Sequence, residues 1–456
     1  QPERKQKQKN GYDIPNGITD SCFLKLFPLF LYITYENSRQ NMIQELSIEN
    51  YLSIGSKQTL SFVATSDKSN LEEVSVEMKP GLRLLRLVLL YGANASGKTN
   101  ILLAIQTIWN LLFKPQLMEH AKIPFYSPFA LYHGKPTYFK IIFWALKRRY
   151  EYEVEYNEER IIREKMMYTT PGGILSKLYE RNTEGEITFG STVNVKINER
   201  NLLAGNTLPN HTVLSTLNKI TVNIPLLNEL YLWIKQNVHE ESEHDDIYEI
   251  AREAQGNQTL KHMILEMLNK ADINITEFEP LQMDLPDAMI EEMKSRGLKE
   301  SDIHKIFSRR EIIFTHHTDL KDFTITSSME SRGTLMYFRL ARMLFDLKEH
   351  GNICLKDEIE DCLHYDLLVH YLKMYFETES HSQLVCTTHN LDLLSEDWMI
   401  RRDMVWITEK NRTSAETQLN RASSMGLHKN VSLENAFRIG KMGGKPHLGS
   451  TLIWEE

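Results

Sequence analysis

Apolar and polar residues alternate from Met42 through Ile54, the period of a strand with one buried face. A second alternating stretch covers 60–65, and a nearly unbroken apolar run then fills 82–92, which predicts a central strand buried on both faces. Past a glycine-rich loop, the apolar positions of 100–113 recur at helical spacing. Residues 123–200 read as strands joined by turns, one marked by Pro171, Gly172 and Gly173, and predict antiparallel hairpins. From 212 to 311 the texture is helical and polar, broken by Pro225, Pro280 and Pro286 and lacking sustained heptads, which predicts a compact helical insertion rather than a coiled-coil arm. Strand patterns return at 311–316 and 321–326. A helix over 333–350, a strand ending at Asp357, a helix over 365–377 and strands at 382–390 and 403–410 follow. The stretch 410–456 reads as glycine-rich and irregular.

This alternation predicts an α/β fold: a mixed, largely parallel sheet flanked by helices, an antiparallel β subdomain and a helical insertion. Four segments are expected. Residues 1–41 form a leader ahead of Met42, 42–211 hold the glycine-rich loop and β subdomain, 212–311 are the helical insertion, and 312–456 complete the sheet.

Composition narrows the class. With 41% hydrophobic and 25% charged residues the chain is an ordinary globular one. A net charge of −8 excludes a protein coated in nucleic-acid-binding basicity, though not a local basic groove. The four cysteines show no Cys-x-x-Cys spacing, which argues against a zinc site or disulfide framework and fits a reducing cytoplasm. The apolar run from Cys22 to Thr34 contains Lys25 and Pro28 and falls short of the ~20 residues that span a bilayer. Basic residues precede it, as before a signal-peptide core, but the chemistry carried by residues 92–100 and 352–389 belongs in the cytoplasm, and no membrane partner is expected.

That chemistry begins at Gly92-Ala93-Asn94-Ala95-Ser96-Gly97-Lys98-Thr99, followed by Asn100. Glycines let the backbone curl so that successive N–H groups meet phosphate oxygens, and the following helix presents its positive end to the same anion. Lys98 is expected at the β- and γ-phosphates of ATP, and the Thr99 hydroxyl at Mg²⁺. A second element, 352–358, is an apolar strand ending in Asp357 and Glu358. Asp357 suits Mg²⁺, and Glu358 suits a base that orients the attacking water. Lys356 interrupts that strand's apolar pattern, either snorkelling at the strand end or pairing with a carboxylate. A third strand ends in Thr387-Thr388-His389. At the carboxyl end of a parallel strand His389 has two fitting roles, contact with the γ-phosphate or holding Glu358 and water in register. The fourth, Glu330-Ser331-Arg332-Gly333-Thr334, opens a helix with Ser331 as its N-cap.

Taken in order, these four elements resemble the ABC-type ATPase heads of the SMC, RecF and OLD families, and most of all the bacterial AAA-type, OLD-like ATPases of phage-defence and abortive-infection loci. The resemblance runs from Met42 to about 410 and rests on 43–54, 89–105, 329–334, 357–364, 387–394 and 401–410. It implies an ABC-type head that pairs with a second copy around two nucleotides. Ser331 and Gly333 then meet the γ-phosphate held by the partner, and Asp361 to His364 run along the interface. The glutamine loop common in the wider class is not evident, with Tyr126 to Leu131 standing in its place, and the residue before Asp357 is usually apolar, so Lys356 departs from the pattern. Beyond His389 no Glu…Asp-x-Asp set suggests a built-in nuclease. The resemblance therefore implies a sensor or regulator of a separately encoded effector, a nuclease among the candidates, in antiviral defence. The rival reading is a DNA-repair or chromosome-structure ATPase that binds DNA across its heads. Lys147-Arg148-Arg149, Arg309-Arg310 and Arg401-Arg402 would supply its phosphate contacts.

Overall fold

In the computed structural model, residues 41–115, 118, 120–237, 246–283, 287–297, 309–428 and 430–446 are described. The leader 1–40, including the apolar run at 22–34, lies outside them.

The expected mixed α/β architecture is the one observed. A five-stranded sheet runs in the order β14 (Ile353–Lys356), β15 (Gln383–Thr387), β5 (Leu87–Gly92), β16 (Val405–Lys410) and β17 (Thr417–Arg421). Its first four strands are parallel and β17 is antiparallel. Every residue of β5 is buried because both faces are covered. Val88 and Leu90 enter one core with helix α1 (Lys98–Phe113), whereas Leu87, Leu89 and Tyr91 enter a second core on the opposite face. That second core is closed by α5 (Ile247–Gly256), α6 (Gln258–Lys270), α8 (Arg332–Phe345) and α9 (Tyr365–Glu377).

The antiparallel subdomain is a seven-stranded sheet in the order β10-β9-β8-β7-β6-β1-β2. Its strands are β1 (Met42–Glu49), β2 (Gln58–Ser61), β6 (Thr137–Ala145), β7 (Arg148–Tyr156), β8 (Ile161–Thr169), β9 (Leu175–Arg181) and β10 (Ile187–Phe189). It packs on α1 through the first core. Helices α2 (Ile197–Asn206), α3 (Val213–Thr216) and α4 (Pro225–Asn237) follow it. The fully buried Glu164 carboxyl of β8 ties the two together, accepting from the Tyr152 and Tyr179 hydroxyls and from the Val213 amide.

Three local patterns differ from the sequence expectation. The apolar run 82–92 is two strands, β4 (Leu82–Leu85), paired with β3 (Ser75–Lys79), and β5. The break falls at Arg86, buried at 4% exposure, whose guanidinium donates to the carbonyls of Tyr375 at 2.9 Å and Phe376 at 3.0 Å and sits over the Tyr375 ring. The segment expected to be helical also carries β11 (Ile275–Met283), which pairs with β12 (Arg309–His316), next to β13 (Phe323–Thr326), while α7 (Asp287–Ser295) lies between. Pro280 masked this strand, and β11 tolerates it because it is the sheet edge, where a missing N–H costs no ladder bond. Finally, the stretch after 410 is not irregular. It contains β17 and helix α10 (Leu433–Arg438).

Candidate functional site

The phosphate loop lies at the carboxyl end of β5 and runs into α1, as its sequence requires. Its backbone uses left-handed or glycine-only conformations at Gly92 (φ 156°), Ala95 (φ 60°) and Gly97 (φ 105°). The glycines are sterically obligatory: a methyl at Gly92 would lie 2.4 Å from the Thr408 carbonyl, and one at Gly97 2.2 Å from Thr417 Oγ1. Two of the expected ligand residues turn inward instead. The Ser96 hydroxyl is bonded to Thr408 Oγ1 at 2.6 Å, and the Asn100 amide donates to Ser53 Oγ at 2.6 Å. Their side chains shape the loop from behind, while Asn94, Ala95 and Thr99 are exposed. Lys98 is 6% exposed, and its ammonium folds back on the Gly92 and Ala93 carbonyls at 3.1 and 3.3 Å. Burial lowers its pKa, an effect opposed by the carboxylates of Asp357, Glu358 and Glu360.

Those carboxylates come from the turn after β14, two strands away from β5. The Thr99 hydroxyl donates to Asp357 Oδ2 at 2.8 Å, and the Thr387 hydroxyl donates to the other oxygen, Oδ1. Thr387 Oγ1 also accepts the Glu358 amide at 2.8 Å, so one hydroxyl fixes both acidic residues. Glu358 takes a left-handed φ of 48° and its side chain is exposed, held up by a backbone conformation that a non-glycine residue rarely adopts. Glu360 returns beneath the turn and accepts the His389 amide, which leaves the His389 ring exposed at the end of β15. Sequence reasoning placed Asp357, Glu358 and His389 here but missed Thr387 and Glu360. Both stand inside the motifs it had singled out, so position was the available signal. Ser53, Thr408 and Thr417 carried none, because they reach the loop from distant parts of the chain, Ser53 from the turn after β1 and the other two from β16 and β17.

Helix α8 begins as read: Ser331 Oγ accepts the Thr334 amide at 3.0 Å, satisfying an otherwise orphaned helix donor. Gly333 has a reason within its own chain, since a methyl there would approach the Cys362 carbonyl to 2.9 Å. Ser331, Asp361, Cys362 and His364 are exposed. Between α8 and the acidic turn lies an open cleft of about 270 Å³ lined by Met336, Arg339, Lys356, Asp357, Glu358 and Asp361. The odd Lys356 is explained by β14 being the edge strand, only partly buried along its whole length. Tyr126 to Leu131 packs against the loop after β1, with Ser127 O accepting from Leu52 N–H and Phe129 N–H donating to Asn50 Oδ1.

The donor set fits a magnesium nucleotide. Thr99 and Asp357 place two hard oxygen donors in contact beside a glycine cradle and a lysine, the ligand type Mg²⁺ takes when substrate phosphates complete its shell. The geometry is that of a phosphate-binding loop with a hydroxyl–carboxylate pair beside it.

Residues 87–214 match a family described as "AAA domain, putative AbiEii toxin, Type IV TA system". No curated protein matches the chain significantly. Among solved structures, the chain is similar to an SmcHead bound to the C-winged helix domain of ScpA, at 14% identity and a TM-score of 0.39 over 87% of this chain and 99% of that one. An SMC head domain from Thermotoga maritima matches at 14% identity and a TM-score of 0.36, over 83% of this chain and 98% of that one. A Pyrococcus furiosus Smc head with an extended coiled coil, bound to the C-terminal domain of ScpA, matches at 15% identity and a TM-score of 0.33, over 88% and 98% respectively. Among the described residues no helix is long and apolar enough to cross a membrane.

Proposed function

We propose that this chain is an ABC-type ATPase that closes with a second copy of itself around Mg-ATP, in the cytoplasm, and acts as sensor or regulator of a separately encoded effector in bacterial antiviral defence. The observation that carries the ATPase reading is the Asp357 carboxylate, held between the hydroxyls of the phosphate-loop Thr99 and the strand-end Thr387. Lys98 leaves its loop carbonyls for the β- and γ-phosphates, and Thr99 with Asp357 holds Mg²⁺. Mg²⁺, when bound, offsets phosphate charge. Glu358, exposed and rigidly mounted, orients the attacking water, and His389 faces the same region. The exposure of Ser331 at the start of α8 supports a contact made in trans: among the described residues the Ser331 hydroxyl bonds only within its own helix start, to Thr334. Nucleotide that binds the closed pair preferentially drives closure by linkage. The defence role is supported by the description of the family that matches 87–214.

The DNA-binding alternative loses one of its expected contacts. Arg401 is 4% exposed and its guanidinium is paired with Asp403, while Arg402 donates to the carbonyls of Leu427 and Val431. Arg149 is paired with Glu151, and Arg310 with Glu249.

The deciding experiment compares ATP hydrolysis by the wild type and Glu358→Gln. Turnover in the variant is expected to fall by about 10²–10⁴-fold with nucleotide affinity kept. Equally slow hydrolysis by both proteins would remove the enzyme from the proposal. Co-purification with a second protein supports the regulator role, whereas steep salt dependence of duplex binding supports the alternative.

A further inference from the structure

The glycine-rich segment after α10 lies against the phosphate loop. Gly443 and Gly444 have φ of 70° and 71°, two consecutive left-handed residues that only glycine adopts without strain. The turn is closed by its own backbone: Gly440 N–H donates to Phe437 O, Lys441 N–H to Ala436 O at 2.9 Å, and Gly443 N–H to Gly440 O. Lys445 Nζ donates to the Arg438 carbonyl, and Met442 is 3% exposed within the second core.

Space at the two glycines differs. A methyl on Gly444 would lie 2.6 Å from Ile407 Cγ2 and 3.5 Å from the Cα of Gly92, the first glycine of the phosphate loop. Ile407 is itself fully buried and pairs with Tyr91, the residue before Gly92, so it has no room to retreat. A methyl on Gly443 would meet the Glu409 carboxylate at 2.6 Å, which is the far end of a flexible side chain. Phe437 completes the seat, its ring 6.1 Å from that of Tyr91.

We propose that the 440–446 turn is a buttress of the phosphate site: it packs on Gly92 from the sheet face opposite α1 and fixes the loop's curvature, so that nucleotide affinity depends on it. The phosphate loop is otherwise held on its other side, through Ser96 and Gly97, by Thr408, Thr417 and Ser53. The turn supplies the wall that those contacts lack, and it leaves the backbone of residues 92–97 preset for an anion rather than free to flatten. This inference rests on the nucleotide-binding reading above.

Gly444→Ala and Gly443→Ala make a matched pair, because both strain a left-handed residue in the same turn and only the first displaces it from Gly92. In the nucleotide-free full chain, amide hydrogen exchange across residues 92–98 is expected to quicken by about tenfold in Gly444→Ala and to stay near wild type in Gly443→Ala. The Mg-ATP dissociation constant should rise about tenfold in the first variant alone. Equal behaviour of the two variants in the loop amides would overturn the buttress and leave a turn that serves stability only. Changed loop exchange in Gly444→Ala, in a protein whose wild type binds no Mg-ATP, would uphold the buttress and sink the nucleotide reading instead. If Gly444→Ala does not fold, exchange in the wild type decides: Mg-ATP is expected to protect the amides of 437–445, and unchanged protection there would overturn the proposal.

Discussion

The hydroxyl of Thr99 donates to Asp357 Oδ2 at 2.8 Å, joining two motifs that stand 258 residues apart in sequence. The other carboxylate oxygen is taken by Thr387, which simultaneously receives the Glu358 amide. The acidic turn is thus fixed by two hydroxyls on either side of Asp357, before any ligand is considered.

Thr387→Val removes the shared hydroxyl while keeping its volume, leaving the Glu358 amide and one Asp357 oxygen without that partner. Loss of about 1–3 kcal/mol of stability is expected, together with slowed ATP turnover. Thr387→Ser should restore both. Denaturant unfolding and a steady-state assay on the three proteins check this, and a valine variant that turns over normally would refute the hub.

Lys98→Ala and Ser331→Arg should separate binding from hydrolysis. The first is expected to abolish Mg-ATP binding, since Lys98 is the buried cation of the loop. The second costs a helix cap of about 1 kcal/mol but leaves the loop intact, so nucleotide should still bind while hydrolysis stops. Identical behaviour of the two variants in equilibrium binding would rule out a trans contribution from Ser331.

Glu164 should make stability depend on pH in the direction opposite to most carboxylates. Burial raises its pKa to about 7, outweighing Arg181, the Val213 amide and the hydroxyls of Tyr152 and Tyr179, which all act to lower it. The folded state therefore holds a proton on this group that the unfolded state releases above ~4.5. Its stabilising contribution is complete below that value, is lost as pH rises toward 7, and stays lost above. On the order of 3 kcal/mol is at stake. Glu164→Gln should flatten this component, measurable as the difference in unfolding free energy between pH 5 and pH 8 in variant and wild type.

Arg401→Ala should destabilise the fold by about 3–5 kcal/mol, because it leaves Asp403 buried without its countercharge. The Asp403 carboxylate, 1% exposed, also accepts from the Thr65 amide and hydroxyl, so it cannot turn to solvent for relief. Urea unfolding measures the loss. A loss within 0.5 kcal/mol, the range of ordinary surface substitutions, would restore Arg401 as a candidate surface contact.

The sequence by itself determined the phosphate loop, the Asp357-Glu358 strand end, the His389 strand and the Ser331 cap. Each is a local device, in which residue type and spacing suffice because the chemistry is carried by consecutive backbone groups or by one strand end. The strand at 275–283 was illegible because Pro280 argues against a strand unless one knows that it lies at a sheet edge. The break at Arg86 was hidden for a related reason: a charged residue within an apolar run is compatible with a buried strand only when carbonyls from elsewhere, here those of Tyr375 and Phe376, accept its protons. Only the tertiary structure decided that Ser96 and Asn100 point inward, that Thr387 joins Asp357 to Glu358, and that Gly444 comes close to Gly92. Those relationships join residues far apart in the chain, those of Ser96 and Thr387 through parallel strands linked by crossovers, and so leave no periodic trace of which residues will meet.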